Sequence, residues 1–244
     1  MIRIVAAGTL RSLFARRRVI FLLLLAAVPV LIGLLARWRG LPGEGVERTA
    51  TAIEQLVVRA VLPLVGLVLG TAAIGAEIED GTIIHLITKP VARWRIAVGK
   101  LLATTPPVVV LVAGSTLIAG LAIGGDRGAL TTVLALTAGV SLGAVAYTFL
   151  FVALGVLTTR ALIAGLAYVI VWEGLLAGLF EGSRTLSIRE YTLAVAAALD
   201  PGGPLDTDLR LDPVVAVVGL AAVIGVSFAV TVWRLGRLEL QAGD

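Results

Sequence analysis

Long apolar runs alternate with short charged stretches along almost the whole chain. Six runs stand out, at about residues 19–36, 56–76, 97–125, 129–159, 161–180 and 213–233. A hydrocarbon core of ~30 Å needs roughly 20 helical residues to cross it, and each run is near or above that length. Lipid offers the backbone no hydrogen-bond partner, so spanning segments are helices or closed barrels. A barrel would show alternating segments of about ten residues, and the chain has none. The pattern predicts six transmembrane helices. The fourth run is long enough to tilt or protrude. Pro106 and Pro107 remove two backbone donors from the third, where a bend is expected. Pro29 and Pro63 are expected to bend the first two spans more gently.

Composition agrees with this reading. Only 15% of residues are charged and 59% are hydrophobic, where a soluble domain carries about 25% charge. A single transmembrane domain, residues 1–244, leaves no room for a separate soluble one. The net charge of +4 rests on 20 basic residues, all arginine except Lys89 and Lys100. In a membrane protein this excess reports topology rather than nucleic-acid binding. With the N-terminus inside, twelve basic residues fall on inner segments and eight on outer ones, so both termini are expected to be cytoplasmic. The stretch "ARRRVIFLLLLA" resembles a signal sequence, but its apolar part is too long and no A-x-A site follows. An uncleaved first span is expected, in the plasma or inner membrane. Leu10, Leu13 and Phe14 share one helical face before it, as in a helix lying on the inner surface.

The densest charge lies between spans two and three, in "IEDGTIIHLITKPVARWRIAVGK", Ile78–Lys100. On a helix over Glu79–Lys89, Ile83, Ile84, Leu86 and Ile87 share one side, and Gly81, Thr82, His85, Thr88 and Lys89 take the other. Glu79 and Asp80 fall in the first turn and Lys89 in the last, as the helix dipole favours. Pro90 then ends the helix. Trp94 suits an interfacial anchor, with Arg93, Arg95 and Lys100 reaching for the headgroups. From physics alone two readings stay open: an amphipathic rod that meets another protein, and a linker whose charges fix topology.

The stretch Gly75–Ala103, "GAEIEDGTIIHLITKPVARWRIAVGKLLA", resembles the signature region of ABC-2-type transporter permeases. The matching features are Glu77 or Glu79, Gly81–Thr82, Leu86–Ile87, Pro90 followed by Arg93, and Gly99–Lys100. Ala92 departs from the serine or threonine common in the family before that arginine. The resemblance implies the membrane subunit of an ATP-driven exporter. It also implies a coupling helix, within residues 78–95, seated in a groove of a separate ATPase. Glu77, Glu79, Gly81, Thr82, Ile84, His85, Ile87, Lys89, Pro90 and Arg93 would form that coupling segment.

Chemistry of other kinds finds no support in the sequence. No G-x-x-x-x-G-K-[ST] occurs, since Trp94 stands where the first glycine is needed and Leu101 follows Gly99–Lys100. ATP and Mg are therefore expected on a partner ATPase, with no cofactor or metal in this chain. There is no cysteine, no H-E-x-x-H and no G-x-S-x-G, and His85 is the sole histidine. Asp200, Asp206, Asp208 and Asp212 lie among Pro201, Gly202, Gly203 and Pro204, which reads as a loop.

Two charges fall within spans. Glu173 lies roughly 18 Å along the fifth at 1.5 Å per residue, in its outer half, and Arg59 lies near the outer end of the second. An intramembrane carboxylate faces protein or water. Pairing with Arg59 is the preferred expectation, lining a substrate path is the second, and proton coupling the third. In the external segment 181–212, Ser187-Ile-Arg-Glu190 is a capping-box pattern ahead of the apolar stretch Tyr191–Leu199. A short outer helix is expected there, in or on the membrane, ended by Asp200–Pro201. G-x-x-x-G pairs at Gly66/Gly70, Gly120/Gly124, Gly139/Gly143 and Gly174/Gly178 offer close helix approach, a weak signal in a chain with 28 glycines.

The sequence as a whole reads as all-α and integral to the membrane, with six spans, a short amphipathic cytoplasmic helix between spans two and three, and a short outer helix between five and six. It is expected to work as a permease with an ABC ATPase subunit and a second permease copy or homologue, among membrane lipid, on an exported substrate the residues do not identify. The competing readings are a membrane scaffold subunit that transports nothing and a proton-coupled secondary transporter using Glu173.

Overall fold

The computed structural model describes residues 16–38, 45–79, 93–124, 127–176, 185–205 and 211–241. These residues form helices and turns without strands. Helix α1 is Arg16–Trp38. Helix α2 runs over residues 45–79 as an α-helix Gly45–Ile53, a wider π-helical stretch Glu54–Val61 and an α-helix Leu62–Glu79. Helix α3 is Arg93–Gly124 and α4 is Arg127–Leu157. Helix α5 begins at Ala161 and passes from α to π geometry over Tyr168–Leu176. Helix α6 is Ile188–Leu199 and α7 is Pro213–Gln241.

Among the described residues, five helices are long and apolar enough to cross a membrane: those over Arg18–Trp38, Val46–Ile74, Trp94–Gly124, Ala129–Leu157 and Pro213–Arg237. Ala161–Leu175 is apolar but shorter, and residues 177–180 of the expected fifth span lie outside the described set. The second helix starts earlier than the charge-free run suggested. Val46–Leu56 carries Glu47, Arg48 and Glu54, yet Thr49, Ala50 and Ile53 on one face are buried in the bundle. Helix α3 continues through Pro106 and Pro107.

Helix α4 is the hub, packing on α2, α3, α6 and α7, while α1 leans on α3 at the edge. Without a hydrophobic force between helices in lipid, close approach depends on small residues. Gly66 and Gly70 of α2 face Tyr147 and Phe151 of α4. A Cβ on Gly70 would lie 2.7 Å from that of Phe151. Gly120 faces Val133. Gly139 and Gly143 face α6, where a Cβ on Gly139 would lie 2.6 Å from the Thr192 carbonyl oxygen. Three of the four glycine pairs therefore mark seams; Gly174 meets only its own helix, and Gly178 lies outside the described residues. Tyr147 and Phe151 stack at 5.8 Å between ring centroids, and Tyr168 of α5 meets Phe151 edge-on at 6.3 Å.

Helix α6 is a buried element: eight of its twelve residues are inaccessible. It packs on α4 and α7, where Gly219 of α7 makes room for the Tyr191 ring. Asp200 ends it and accepts a hydrogen bond from Thr132 of α4 at 2.5 Å. Asp212 caps α7 by accepting from the Val214 amide at 2.8 Å. These two aspartates are structural, consistent with a loop between α6 and α7. Asp206 and Asp208 lie outside the described residues.

The Gly139 seam leads to a contrast. Gly139→Ala sets a methyl against backbone and is expected to cost about 1–3 kcal/mol, as overpacking does. Gly114→Ala meets nothing within 4 Å and is expected to be neutral or to stabilise by less than about 1 kcal/mol. Thermal unfolding in detergent, comparing both variants with the parent, checks this.

Candidate functional site

Among the described residues two charged side chains are buried inside the bundle, Glu173 near one end and Lys100 near the other. Glu173 sits in the π-helical part of α5 and is 4% exposed. Its carboxylate accepts from the Tyr168 hydroxyl at 3.1 Å, the Ser187 hydroxyl at 2.5 Å and the Ile188 amide at 3.0 Å. Ser187 is the N-cap of α6 and itself accepts from the Glu190 amide at 3.2 Å. The capping box is thus extended by a carboxylate from a neighbouring helix. A negative charge there is favoured by the orphan amides and the dipole of α6.

Arg189 closes the arrangement. Its Nη1 donates to the Glu173 main-chain oxygen at 3.0 Å, and its Nη2 pairs with Glu190 Oε1 at 3.1 Å. Trp172 Nε1 donates to the Leu186 carbonyl at 3.2 Å, and the Tyr191 hydroxyl donates to the Thr185 carbonyl. The start of α6 is therefore fastened to α5 through side chain and main chain together.

The expected pairing of Glu173 with Arg59 does not occur. Arg59 is half exposed and lies 3.7 Å from Glu54 on its own helix. The reason is local: a helix N-terminus offers amide and hydroxyl donors to the carboxylate at hydrogen-bonding distance, whereas Arg59 reaches the acid one turn away.

Lys100 corrects a second expectation. It does not reach for the headgroups; it is 1% exposed. Its Nζ donates to the Ala73 carbonyl of α2 at 2.9 Å. Ala73 belongs to a buried apolar cluster with Ile74, Ile96, Ala97 and Leu101, Val152 and Val156 of α4 and Leu235 of α7. Arg95 does stay at the surface, its guanidinium 5.4 Å from the Trp94 ring, and Arg237 lies 4.3 Å over Trp233. These pairs fit interfacial anchors.

The remaining coupling-segment residues are only partly placed. Glu77 and Glu79 lie on the last turns of α2 and Arg93 opens α3. Gly81, Thr82, Ile84, His85, Ile87, Lys89 and Pro90 lie outside the described residues, as do Leu10, Leu13 and Phe14. Among the described residues no group of three His, Cys, Asp or Glu side chains is placed to hold a metal. A cavity of about 160 Å³ opens between α1, α2 and α3, lined by Val19, Leu22, Leu23, Leu69, Pro107, Val110 and Leu111. It is apolar throughout, with no polar group to orient a ligand.

Sequence reasoning found Glu173 but missed Tyr168, Ser187 and Arg189 as its neighbours. The capping box signalled Ser187, but nothing in the spacing tied it to α5. The buried contact of Lys100 was missed because a lysine near a helix end looks the same whether it faces lipid headgroups or protein.

The Glu173 cluster generates a direct test. Glu173→Gln replaces an acceptor of three bonds by a group that donates at one end, and should cost about 2 kcal/mol. Amide exchange is expected to accelerate at Ile188–Thr192. Arg59→Gln is expected to leave exchange there unchanged.

Residues 42–162 match the family model described as ABC-2 family transporter protein. The match covers α2, α3 and α4 and contains Gly75–Ala103, the stretch on which the resemblance rested. No curated protein is significantly similar to the chain.

Proposed function

The chain carries an ABC-2 family transporter domain and is a membrane permease of the ABC transporter type, and from that premise we propose that it is the membrane-spanning subunit of an exporter driven by a separate ATPase. Six spans with both ends cytoplasmic form one half of the pathway. A second copy, or a homologous permease, supplies the other half. The ATPase binds ATP and Mg, and docks on the segment 78–95, whose polar side with His85 and Lys89 faces it while the apolar side with Ile84 and Ile87 packs on the bundle. Nucleotide-driven closure then favours one arrangement of the spans over another, as a population shift. The chain forms and breaks no covalent bond.

The observation that carries this reading is the match itself, which is centred on the two helices flanking that segment. The proton-coupled alternative would need Glu173 open to water. Its burial and its three donors support a fastening role instead.

Affinity purification of the tagged chain from its native membrane is expected to recover an ATP-binding-cassette ATPase in stoichiometric amount. Ile84→Glu or Ile87→Glu should reduce that recovery at least about tenfold, the loss that about 1.4 kcal/mol of docking energy would produce. Purification without any ATPase, together with proton-driven flux in vesicles, would replace the proposal with the secondary-transporter reading.

A further inference from the structure

We infer that Lys100 is the positioning residue that makes the inner ends of α2 and α3 move as one body, so that force applied to the segment between them reaches the bundle. The inference rests on the permease reading above. Ala73 lies six residues before the described end of α2, and Lys100 lies seven residues into α3. At 1.5 Å per residue both are roughly 10 Å from the helix ends that the connector joins. The bond between them, 2.9 Å long, spans 27 residues of sequence.

The choice of lysine is the telling point. Taking an ammonium group to 1% exposure, beside the apolar cluster to which Ala73 belongs, carries a desolvation cost. Methionine would fill similar space without that cost. Apolar side chains alone hold two helices in lipid by shape, with no hydrophobic force opposing a slide. A charged donor bonded to a carbonyl of the facing helix resists sliding along the axis. The acceptor suits it, because a main-chain oxygen has a second lone pair beyond its helical bond. Thr104 Oγ1 donates to the Lys100 carbonyl at 2.8 Å, tying the next turn of α3 to the same residue. Val152 and Val156 of α4 and Leu235 of α7 pack on the cluster, so displacement of the pair is felt by both.

The chain has no cysteine, which allows spin labels to be placed without other changes. Labels at Trp38→Cys, at the end of α1, and Leu199→Cys, at the end of α6, occupy exposed positions. The full complex with its co-purified ATPase, in lipid, is measured by pulsed electron spin resonance without nucleotide and with Mg-ATP and vanadate. With Lys100 present, vanadate trapping is expected to shift the label distance. In Lys100→Met the ATPase should still co-purify and the nucleotide-free distance should be unchanged, but the shift should be lost. Lys100→Arg should restore it. Rescue by arginine separates positioning from simple space-filling.

An undiminished shift in Lys100→Met overturns the inference. So does a lost shift with an altered nucleotide-free distance, which would make the lysine merely structural. If Lys100→Met does not assemble, Lys100→Gln, one atom shorter, should give less than half the shift, and a full shift there overturns the inference. A bound ATPase with no shift even when Lys100 is present overturns it while leaving the permease reading intact. No ATPase at all overturns both.

Discussion

In a bilayer the polar groups of a helix have no solvent to fall back on, and the apolar groups have no water to escape. Each buried donor and acceptor has to be answered inside the protein, and helices that touch must do so by shape. The bundle obeys both conditions, apart from Thr105 Oγ1, the Tyr147 hydroxyl and Arg234 Nε, which are buried without a hydrogen-bond partner among the described residues. Its hydroxyls mostly bond back to their own helix four residues earlier, as Thr71, Thr116, Thr148 and Thr231 do. Its tightest seams are glycines against bulky neighbours, such as Gly70 on Phe151. Among the described residues the two buried charged side chains, Glu173 and Lys100, each bond a neighbouring helix, Glu173 at the start of α6 and Lys100 at a carbonyl six residues before the described end of α2.

Those two bonds are complementary. At one end a carboxylate meets the amide-rich start of α6; at the other an ammonium group meets a carbonyl near the finish of α2. The first uses the positive end of the α6 dipole; the second uses the spare lone pair of a helical carbonyl. Helix α4 runs between them. Phe151, stacked on Tyr147, meets Tyr168, whose hydroxyl holds Glu173, and Val152 and Val156 share an apolar cluster with Ala73, whose carbonyl Lys100 bonds. The hub of the packing is therefore shared by both fastenings.

Much of this was legible in the residues themselves. The charge-free runs located the long helices because lipid admits little else, and the Ser187–Glu190 pattern located α6 because caps are local chemistry. The glycine pairs gave only a faint signal, yet three of them lie at seams. Tertiary information was not legible. Nothing near Glu173 in sequence announces that its partners are fourteen and fifteen residues on, at the start of another helix. The outer part of α2 was cut short because Glu47, Arg48 and Glu54 interrupt the apolar run, although the buried face continues past them. Whether Lys100 faced headgroup or carbonyl depended on α2 and α4 standing in its way.

Helix α1 stands apart from this network. Little of its surface is buried, with Leu22 and Ala26 against the bundle and most of Ile20–Leu35 facing outward. Its polar tie to α3 is the Ser115 hydroxyl donating to the Ala26 carbonyl at 2.7 Å. Its apolar length is 21 residues, roughly 32 Å, close to the thickness of an average hydrocarbon layer, whereas α3 at 32 residues is roughly 48 Å long. A membrane a few ångströms thicker or thinner would leave α3 room to adjust and would act first on the tilt of α1. The seating of this outer stave is thus the part of the molecule most responsive to the lipid composition around it.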